Sequence, residues 1–136
     1  GGDHSLTVSQ DGGGNHAVSS NQNGIGNSAT VTQHGSSQRV FNTQDGGGTS
    51  GMGNTAVFLQ DGGRNVASNK QSGYGGSATF DQSGTDNVAT LTDQIGSANI
   101  ALLIQSNSNN TVTPIQSGIN NNASSMQSGG YQLASL

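Results

Sequence analysis

Glutamine recurs at a nearly constant spacing along the chain, and this spacing constrains the fold more than any other feature of the sequence. The usual step from one member to the next is eleven positions, although two steps are longer by one and a third is longer by five. The members are Gln10, Gln22, Gln33, Gln44, Gln60, Gln71, Gln82, Gln94, Gln105, Gln116 and Gln127. A fixed period of this kind indicates a repeat protein, in which each unit stacks on its neighbours.

Glycine stands two positions after each of these glutamines, with the single exception of Asn107 after Gln105. The ten glycines are Gly12, Gly24, Gly35, Gly46, Gly62, Gly73, Gly84, Gly96, Gly118 and Gly129. Asparagine is the non-glycine residue that best tolerates a positive φ, so the exception also fits a left-handed turn position. The pattern predicts a corner in the chain after every glutamine.

Asparagine usually stands five positions after the glutamine and begins a segment of alternating character. These asparagines are Asn15, Asn27, Asn65, Asn87, Asn99, Asn110 and Asn121, and Asn54 takes the same role after an insertion around residues 48–53. With h for an apolar residue, the unit reads N-x-A-x-h-x-Q-x-G-x-x, and its first half has the period of a strand with one buried face. In the unit after Gln10, this alignment places Asn15 and Ala17 inward and His16 outward.

Two ways of stacking such strands can be compared through their amide side chains. In an antiparallel meander, asparagine would oppose glutamine, and the single sheet would leave its apolar face uncovered. In a coil, like positions stack on like, so the asparagines and glutamines would form amide ladders in which each residue donates to one neighbour and accepts from the other. We therefore predict an all-β solenoid that spans residues 1–136 as one domain.

Bulky and small residues alternate at the fourth strand position, which sets the number of strands per turn. Odd units carry Val8, Val31, Phe58, Phe80 and Leu103, whereas even units carry Ser19, Asn42 and Asn69. The true period is therefore a pair of units. This period predicts two strands per turn and about six turns, with a height of roughly 29 Å at about 4.8 Å per turn. Pro114 falls at an inward position of the tenth strand, where it deletes one ladder hydrogen bond.

Composition argues against several classes of function. Only 7% of the residues are charged and the net charge is −4, without the basic stripe that a nucleic-acid surface needs. The chain has no cysteine, which excludes a disulfide or a thiolate metal site, and no apolar run long enough for membrane insertion. No signal peptide is present and the sequence opens on its first repeat, as expected if a targeting segment has been removed.

Four stretches of the chain resemble the curlin repeat, Ser-x5-Gln-x-Gly-x-x-Asn-x-Ala-x3-Gln. They are QDGGGN (10–15), QNGIGN (22–27), QDGGRN (60–65) and QSGTDN (82–87), each followed two positions later by Ala. The resemblance covers nearly the whole chain and implies a secreted bacterial subunit that polymerises at the cell surface into curli, the functional amyloid fibres of the biofilm matrix. It further implies a nucleator subunit and an outer-membrane export channel as partners. The low charge is more similar to the major, fibre-forming subunit than to the minor nucleator.

Side chains that carry chemistry in other proteins do not converge in this pattern. His4 falls in the asparagine column, His16 on an outward face and His34 in a corner, so we expect no metal site. The DGGGN stretches lack the Lys-Ser/Thr and the helix of a phosphate loop, and their spacing differs from the nine-residue period of the calcium β-roll. No nucleophile stands beside a base and a third orienting group, so we expect neither an enzyme nor a cofactor. Aspartates such as Asp81 are either gatekeepers against premature association or simply solvated charges.

Two functions are compatible with a solenoid that has no cap at either end. In the first, its uncovered end turns pair with other copies to form a fibril, because an open sheet edge is a template for further strands. In the second, it is a monomeric binding protein, for example an ice-binding protein with a flat array of outward Thr-x-Thr. Thr30/Thr32 and Thr90/Thr92 match that pattern but fall on opposite faces.

One outer face is expected to be adhesive. The alternation that buries Phe58 and Gln60 sends the side chains of four aliphatic residues outward on the odd-strand sheet: Val57, Leu59, Leu102 and Ile104. Exposed apolar groups of this kind usually mark a contact surface, which predicts side-by-side association of fibrils. The alternative is that these residues were selected only for strand propensity.

Overall fold

The computed structural model describes residues 2–46 and 52–136, and its regular structure there consists of parallel β-strands. The strands are β1 (Ser5–Asp11), β2 (Ala17–Gly24), β3 (Ser28–Ser36), β4 (Arg39–Gly46), β5 (Thr55–Gly63), β6 (Val66–Tyr74), β7 (Ser77–Thr85), β8 (Val88–Ser97), β9 (Ile100–Ser106), β10 (Thr111–Thr113), β11 (Ile115–Ile119), β12 (Asn122–Ser128) and β13 (Leu133–Ser135). Most of the predicted insertion, residues 48–51, lies outside the described residues.

The strands divide between two sheets according to their place in the chain. Sheet A has the order β1-β3-β5-β7-β9-β12, and sheet B has the order β13-β10-β8-β6-β4-β2, with β11 also paired to β8. The chain crosses from one sheet to the other at the corners, so each strand pairs with the strand that lies one full turn away. The predicted β-solenoid with two strands per turn is confirmed, and it has about six turns.

The register keeps identical residues in columns, even across the insertion. In sheet A, Ala29 pairs with Ala56 and Gln33 with Gln60, although the insertion lies between the two members of each pair. Beyond it the pairing returns to the ordinary spacing of two units, as in Ala56 with Ala78. Because a slip by a single position would turn every inward side chain outward, burial of one face fixes this register.

A thin apolar core lies between the two sheets. Columns of small residues run alongside a column of bulky ones, and the rings of Phe58 and Phe80 stack with centroids 4.8 Å apart. The buried cluster comprises Val31, Val40, Ala56, Phe58, Ala67, Ala78, Phe80, Ala89, Leu91, Ala101, Leu103 and Val112. The stacked ring pair contributes about 0.5–1.5 kcal/mol of stability in addition to the stabilisation that comes from burying its apolar surface.

The first of the two steps that are longer by one position places its extra residue in the corner, which corrects the inward assignment there. Ala17 pairs with Arg39 and Val18 with Val40, so Val18 faces the core and Ala17 faces outward. His16 therefore replaces Asn15 in the asparagine column, and Ser20, not Ser19, pairs with Asn42. This corner joins β1 to β2 in the first turn and, among the described residues, stacks on the next corner on one side only, so the extra residue disturbs few contacts there.

The second of these longer steps is accommodated inside a strand. The pairing of β6 with β8 shifts register between Asn69 and Gln71, because Asp93 is an additional residue before Gln94. On the other side of β8, Pro114 separates β10 from β11. Proline cannot donate to the ladder, so the tenth predicted strand appears as two short strands.

Candidate assembly site: the amide ladders and the end turns

The repeated glutamines form two continuous ladders, one in each sheet. In sheet A the side-chain amides link Gln10, Gln33, Gln60, Gln82, Gln105 and Gln127, with N–O distances of 2.7–2.9 Å. In sheet B they link Gln22, Gln44, Gln71, Gln94 and Gln116, with distances of 2.8–3.0 Å. Seven of these side chains have at most 2% of their surface exposed, so the amides are bonded to one another and not to water.

Each ladder is also tied to the opposite sheet. Gln82 donates its second amide hydrogen to the carbonyl of Val66 at 3.0 Å, and Gln105 does the same to Val88 at 3.0 Å. Nine glutamines make such a bond, at 2.8–3.2 Å. A ladder glutamine therefore holds its neighbours along the solenoid axis and the two sheets against each other.

These contacts give the ladders a direction. In every step the Nε2 group of the glutamine nearer the N terminus donates to the Oε1 atom of the next one. The orientation is fixed because Nε2 also meets a backbone carbonyl, and a flipped amide would place two acceptors together. Within the described residues, the Oε1 atoms of Gln10 and Gln22 thus end the ladders at the N-terminal side without a donor. Gln116 and Gln127 end them at the other side with a spare N–H.

The asparagines do not form the predicted ladder of side chains. Asn65 Oδ1 accepts from the backbone N–H of Asn87 at 3.1 Å, and its Nδ2 donates to the carbonyls of Asp61 at 3.0 Å and Gly84 at 3.1 Å. The same pattern recurs at Asn27, Asn87, Asn99 and Asn110, and in part at Asn54 and Asn121. Asparagine is one methylene shorter than glutamine, so its amide reaches the backbone of its own corner. The side chains bind the corners of successive turns together.

Two of the residues that replace asparagine in one column, Gln38 and His16, show what this bonding requires. Gln38 donates to the carbonyls of His34 and Gly62, but its Oε1 atom is buried without a partner among the described residues. Both ring nitrogens of His16 are likewise buried without a partner in this part of the chain. Neither a longer amide nor an imidazole reproduces the three contacts of Asn65.

All ten corner glycines have positive φ, from 97° at Gly24 to 139° at Gly46, and Asn107 has φ 71°. Two positions further on, the described corners have a second residue of positive φ that the repeat pattern did not predict. It is glycine in only some of them; elsewhere it is, for example, Arg64 at 55° and Asp86 at 57°. The sequence signal at this second position is weak because several residue types occupy it.

The first turn leaves its core-facing residues uncovered. β1 pairs with β3 alone among the described strands, and Leu6 and Val8 lie in register with buried Ala29 and Val31. Their exposed fractions are nevertheless 49% and 43%, because no described strand lies on the outer side of β1. The N-terminal end therefore presents a free backbone edge with two half-exposed apolar side chains.

The last turn is also open within the described residues. β12 pairs with β9 alone, and β13 pairs with β10 alone. Inward Ser125 and Gln127 have 8% and 4% of their surface exposed, whereas Leu133 is 80% exposed. This end thus presents small inward residues, whereas the first turn presents bulky ones.

The outer face of sheet A carries the predicted lateral residues. Leu59 and Leu102 are 41% and 36% exposed, and Val57 and Ile104 are half-buried. Asp81 lies between Leu59 and Ile104 in one column, and Thr79 lies between Val57 and Leu102 in the next. These residues form one continuous group over three turns.

Residues 2–46 and 52–136 contain no cluster of three His, Cys, Asp or Glu side chains that could hold a metal ion. His34 lies on the surface, with Nδ1 3.6 Å from a carboxylate oxygen of Asp11. No helix in the same residues has the length and apolar character needed to cross a membrane.

Comparison with known proteins returned no match among family models, curated proteins or solved structures.

Proposed function

We propose that this chain is a structural subunit that assembles with copies of itself into amyloid-type fibres, by stacking the last turn of one copy on the first turn of the next. The observation that carries the proposal is the pair of open ends. At each end of the described chain both sheets present parallel edge strands with free backbone groups, together with amide ladders that stop without a partner. An edge of this kind is a template for another strand of the same type.

The direction of the ladders favours head-to-tail stacking. If β1 of one copy continues sheet A beyond β12 of another, Gln127 donates to Gln10 as in every step within the chain. Val8 then covers Ser125 and Leu6 covers Ala123, in the register that the repeat maintains. Head-to-head stacking would instead make the two contacting edge strands antiparallel, so the glutamine column and the direction of its ladder would not continue across the junction. Since Leu6 and Val8 are about half exposed in the free chain, their burial stabilises each junction by on the order of 1 kcal/mol per residue.

The biological setting that we propose is the one implied by the curlin-like repeats: extracellular, cell-surface fibres of a bacterial biofilm matrix that promote adhesion and aggregation. In this setting the chain is secreted through an outer-membrane channel and meets a nucleator subunit at the cell surface. The low charge of the chain and its polar, glycine-rich corners are consistent with export before folding. The resemblance of the repeat supports this part of the proposal.

A monomeric ice-binding solenoid is the alternative function. Its flat threonine array is short in this molecule, because Thr30 and Thr32 lie beside Val57 and Leu59 of the next turn. Thermal hysteresis of the monomer at low temperature would support the alternative, and fibril formation supports self-assembly.

The end turns can be tested with a matched pair of substitutions on the same edge strand. Val8→Lys places a charge on the core-facing side of β1, where the next copy must stack, whereas Thr7→Lys places the same charge on the outer side. We expect purified Thr7→Lys to form fibrils at neutral pH, as followed by thioflavin fluorescence and electron microscopy. Val8→Lys should lengthen the lag and slow elongation by at least tenfold. Equal kinetics for the two variants would contradict stacking through this end.

A further inference from the structure

Within the described residues, the aliphatic part of the outer face of sheet A contains a single charged residue, Asp81. Val57, Leu59, Leu102 and Ile104, which we call the aliphatic patch, surround Asp81 on the strands before and after it. Asp81 itself is half-buried by these neighbours. The described residues place no lysine or arginine on this face, since Arg39 and Lys70 belong to sheet B and Arg64 to a corner.

A partner that covers the aliphatic patch must therefore also satisfy this carboxylate. Removing an ionised carboxylate from water without an opposite charge is strongly unfavourable. A purely apolar partner surface would exclude water from Asp81 and leave it unpaired. The chemistry of the patch thus calls for an apolar surface that carries one cation.

The outer face of sheet B provides such a surface. Arg39 is exposed near Phe41, which is 47% exposed, and Val66 and Val88 follow Arg39 in the same column on the next two turns. The other two cations are already engaged: Lys70 pairs with Asp93 at 2.7 Å, and Arg64 pairs with Asp86. Among the described residues Arg39 has no ion pair. Its side chain also lines a shallow depression with Ser37, Arg64 and Val66.

We propose that the aliphatic patch of sheet A docks on the outer face of sheet B in a neighbouring filament of the same chain, with Asp81 opposite Arg39. This inference rests on the proposed fibre, in which every copy presents one of each charged residue. Asp81 and Arg39 lie on different turns of the solenoid. Because each occurs once per copy along its filament, sliding one filament along its axis brings every Asp81 of one filament opposite an Arg39 of the other. Sheets that pack face to face lie about 10 Å apart, a gap that an arginine side chain spans. Packing of sheet A on sheet A would cover the Asp81 carboxylates of both filaments without providing a cation for either.

Charge exchange between the two faces tests this pairing directly. Asp81→Arg opposes two arginines across the interface, and Arg39→Asp opposes two aspartates. We expect both single variants to elongate at the wild-type rate but to remain single filaments in micrographs. The double variant Asp81→Arg/Arg39→Asp restores opposite charges and should regain bundles of wild-type width. Asp3→Arg, which changes the net charge by the same amount as Asp81→Arg at an exposed position before β1 and outside both docking faces, should bundle as the wild type does.

Mixing provides the sharpest outcome. Preformed filaments of Asp81→Arg and of Arg39→Asp should form no bundles separately and should bundle when combined in equal amounts, with labelled filaments alternating. Wild-type bundling by either single variant, or failure of both the double variant and the mixture to bundle, would overturn the A-on-B pairing. Failure of the wild-type chain to elongate would instead count against the proposed fibre. The two failures are distinguished because filament length and bundle width are measured separately.

Discussion

Glutamine and asparagine differ by one methylene group, and in this solenoid that difference separates two structural roles. Gln82 donates to Gln105 and to the Val66 carbonyl and accepts from Gln60, so one side chain serves both sheets and three turns. The shorter Asn65 bonds only to backbone groups of corners. A buried amide that loses its partner costs about 1–3 kcal/mol, so each ladder position stabilises its neighbours as well as itself.

Gln82→Ala should therefore be far more disruptive than a change on the outer face of the same strand. The substitution leaves the amide of Gln60 and the Oε1 atom of Gln105 without their ladder partners, both in a dry environment. We expect a loss of about 1–3 kcal/mol in the free energy of unfolding, with slower fibril formation. Thr79→Ser, an outward change on the same strand, should alter both by little. Similar denaturant midpoints for the two variants would show that the inward assignment of Gln82 is wrong.

At the scale of strands and corners, the sequence predicts the positions that recur in nearly every unit. It does not predict where the extra residue of a longer unit is placed. The position of Gln82 and the corner at Gly84 follow from spacing alone, because both recur in nearly every unit. The placement of His16 could not be predicted, since a lengthened step between glutamines fits its extra residue either in the corner or in the strand. In the first case the corner absorbs it, and in the second a bulge at Asp93 does. The donor-to-acceptor direction of the glutamine ladders also could not be predicted from the sequence, because it depends on backbone carbonyls of the opposite sheet.

Close stacking of successive corners leaves no room for a Cβ atom at the corner glycines, and substitutions at two glycines can test this requirement. Gly73 has φ 124°, and a Cβ atom there would overlap the carbonyl oxygen of Gly96 in the next turn. Gly13 has no heavy atom within 4 Å of the position that a Cβ would occupy. Gly73→Ala should lower the unfolding free energy by at least about 1–3 kcal/mol from backbone strain. Gly13→Ala should change it by less than about 1 kcal/mol. Thermal unfolding of the two monomers makes the comparison, and equal destabilisation would contradict corner-on-corner stacking.

The whole molecule is a stack of about six turns. The strands of its two described ends are paired on one side only, as interior strands would be if a neighbouring turn were removed. In most repeat proteins, atypical terminal units cover the last faces and keep the chain monomeric. Here β1 and β12 keep the strand register and the ladder glutamines of the interior, so sheet A of one copy continues the pattern of another. The proposed fibre thus extends the contacts within the chain, and its axial unit is one whole solenoid.

Mass per length of the fibrils, measured by scanning transmission electron microscopy, shows whether the axial unit is one whole solenoid. If each copy contributes all its turns, a single filament contains one chain of 13.5 kDa per roughly 29 Å, at about 4.8 Å per turn. Flat stacking of extended chains would instead give one chain per roughly 4.8 Å, a mass per length about sixfold higher. We expect the first value for single filaments, and the second value would show that each copy does not contribute a whole solenoid.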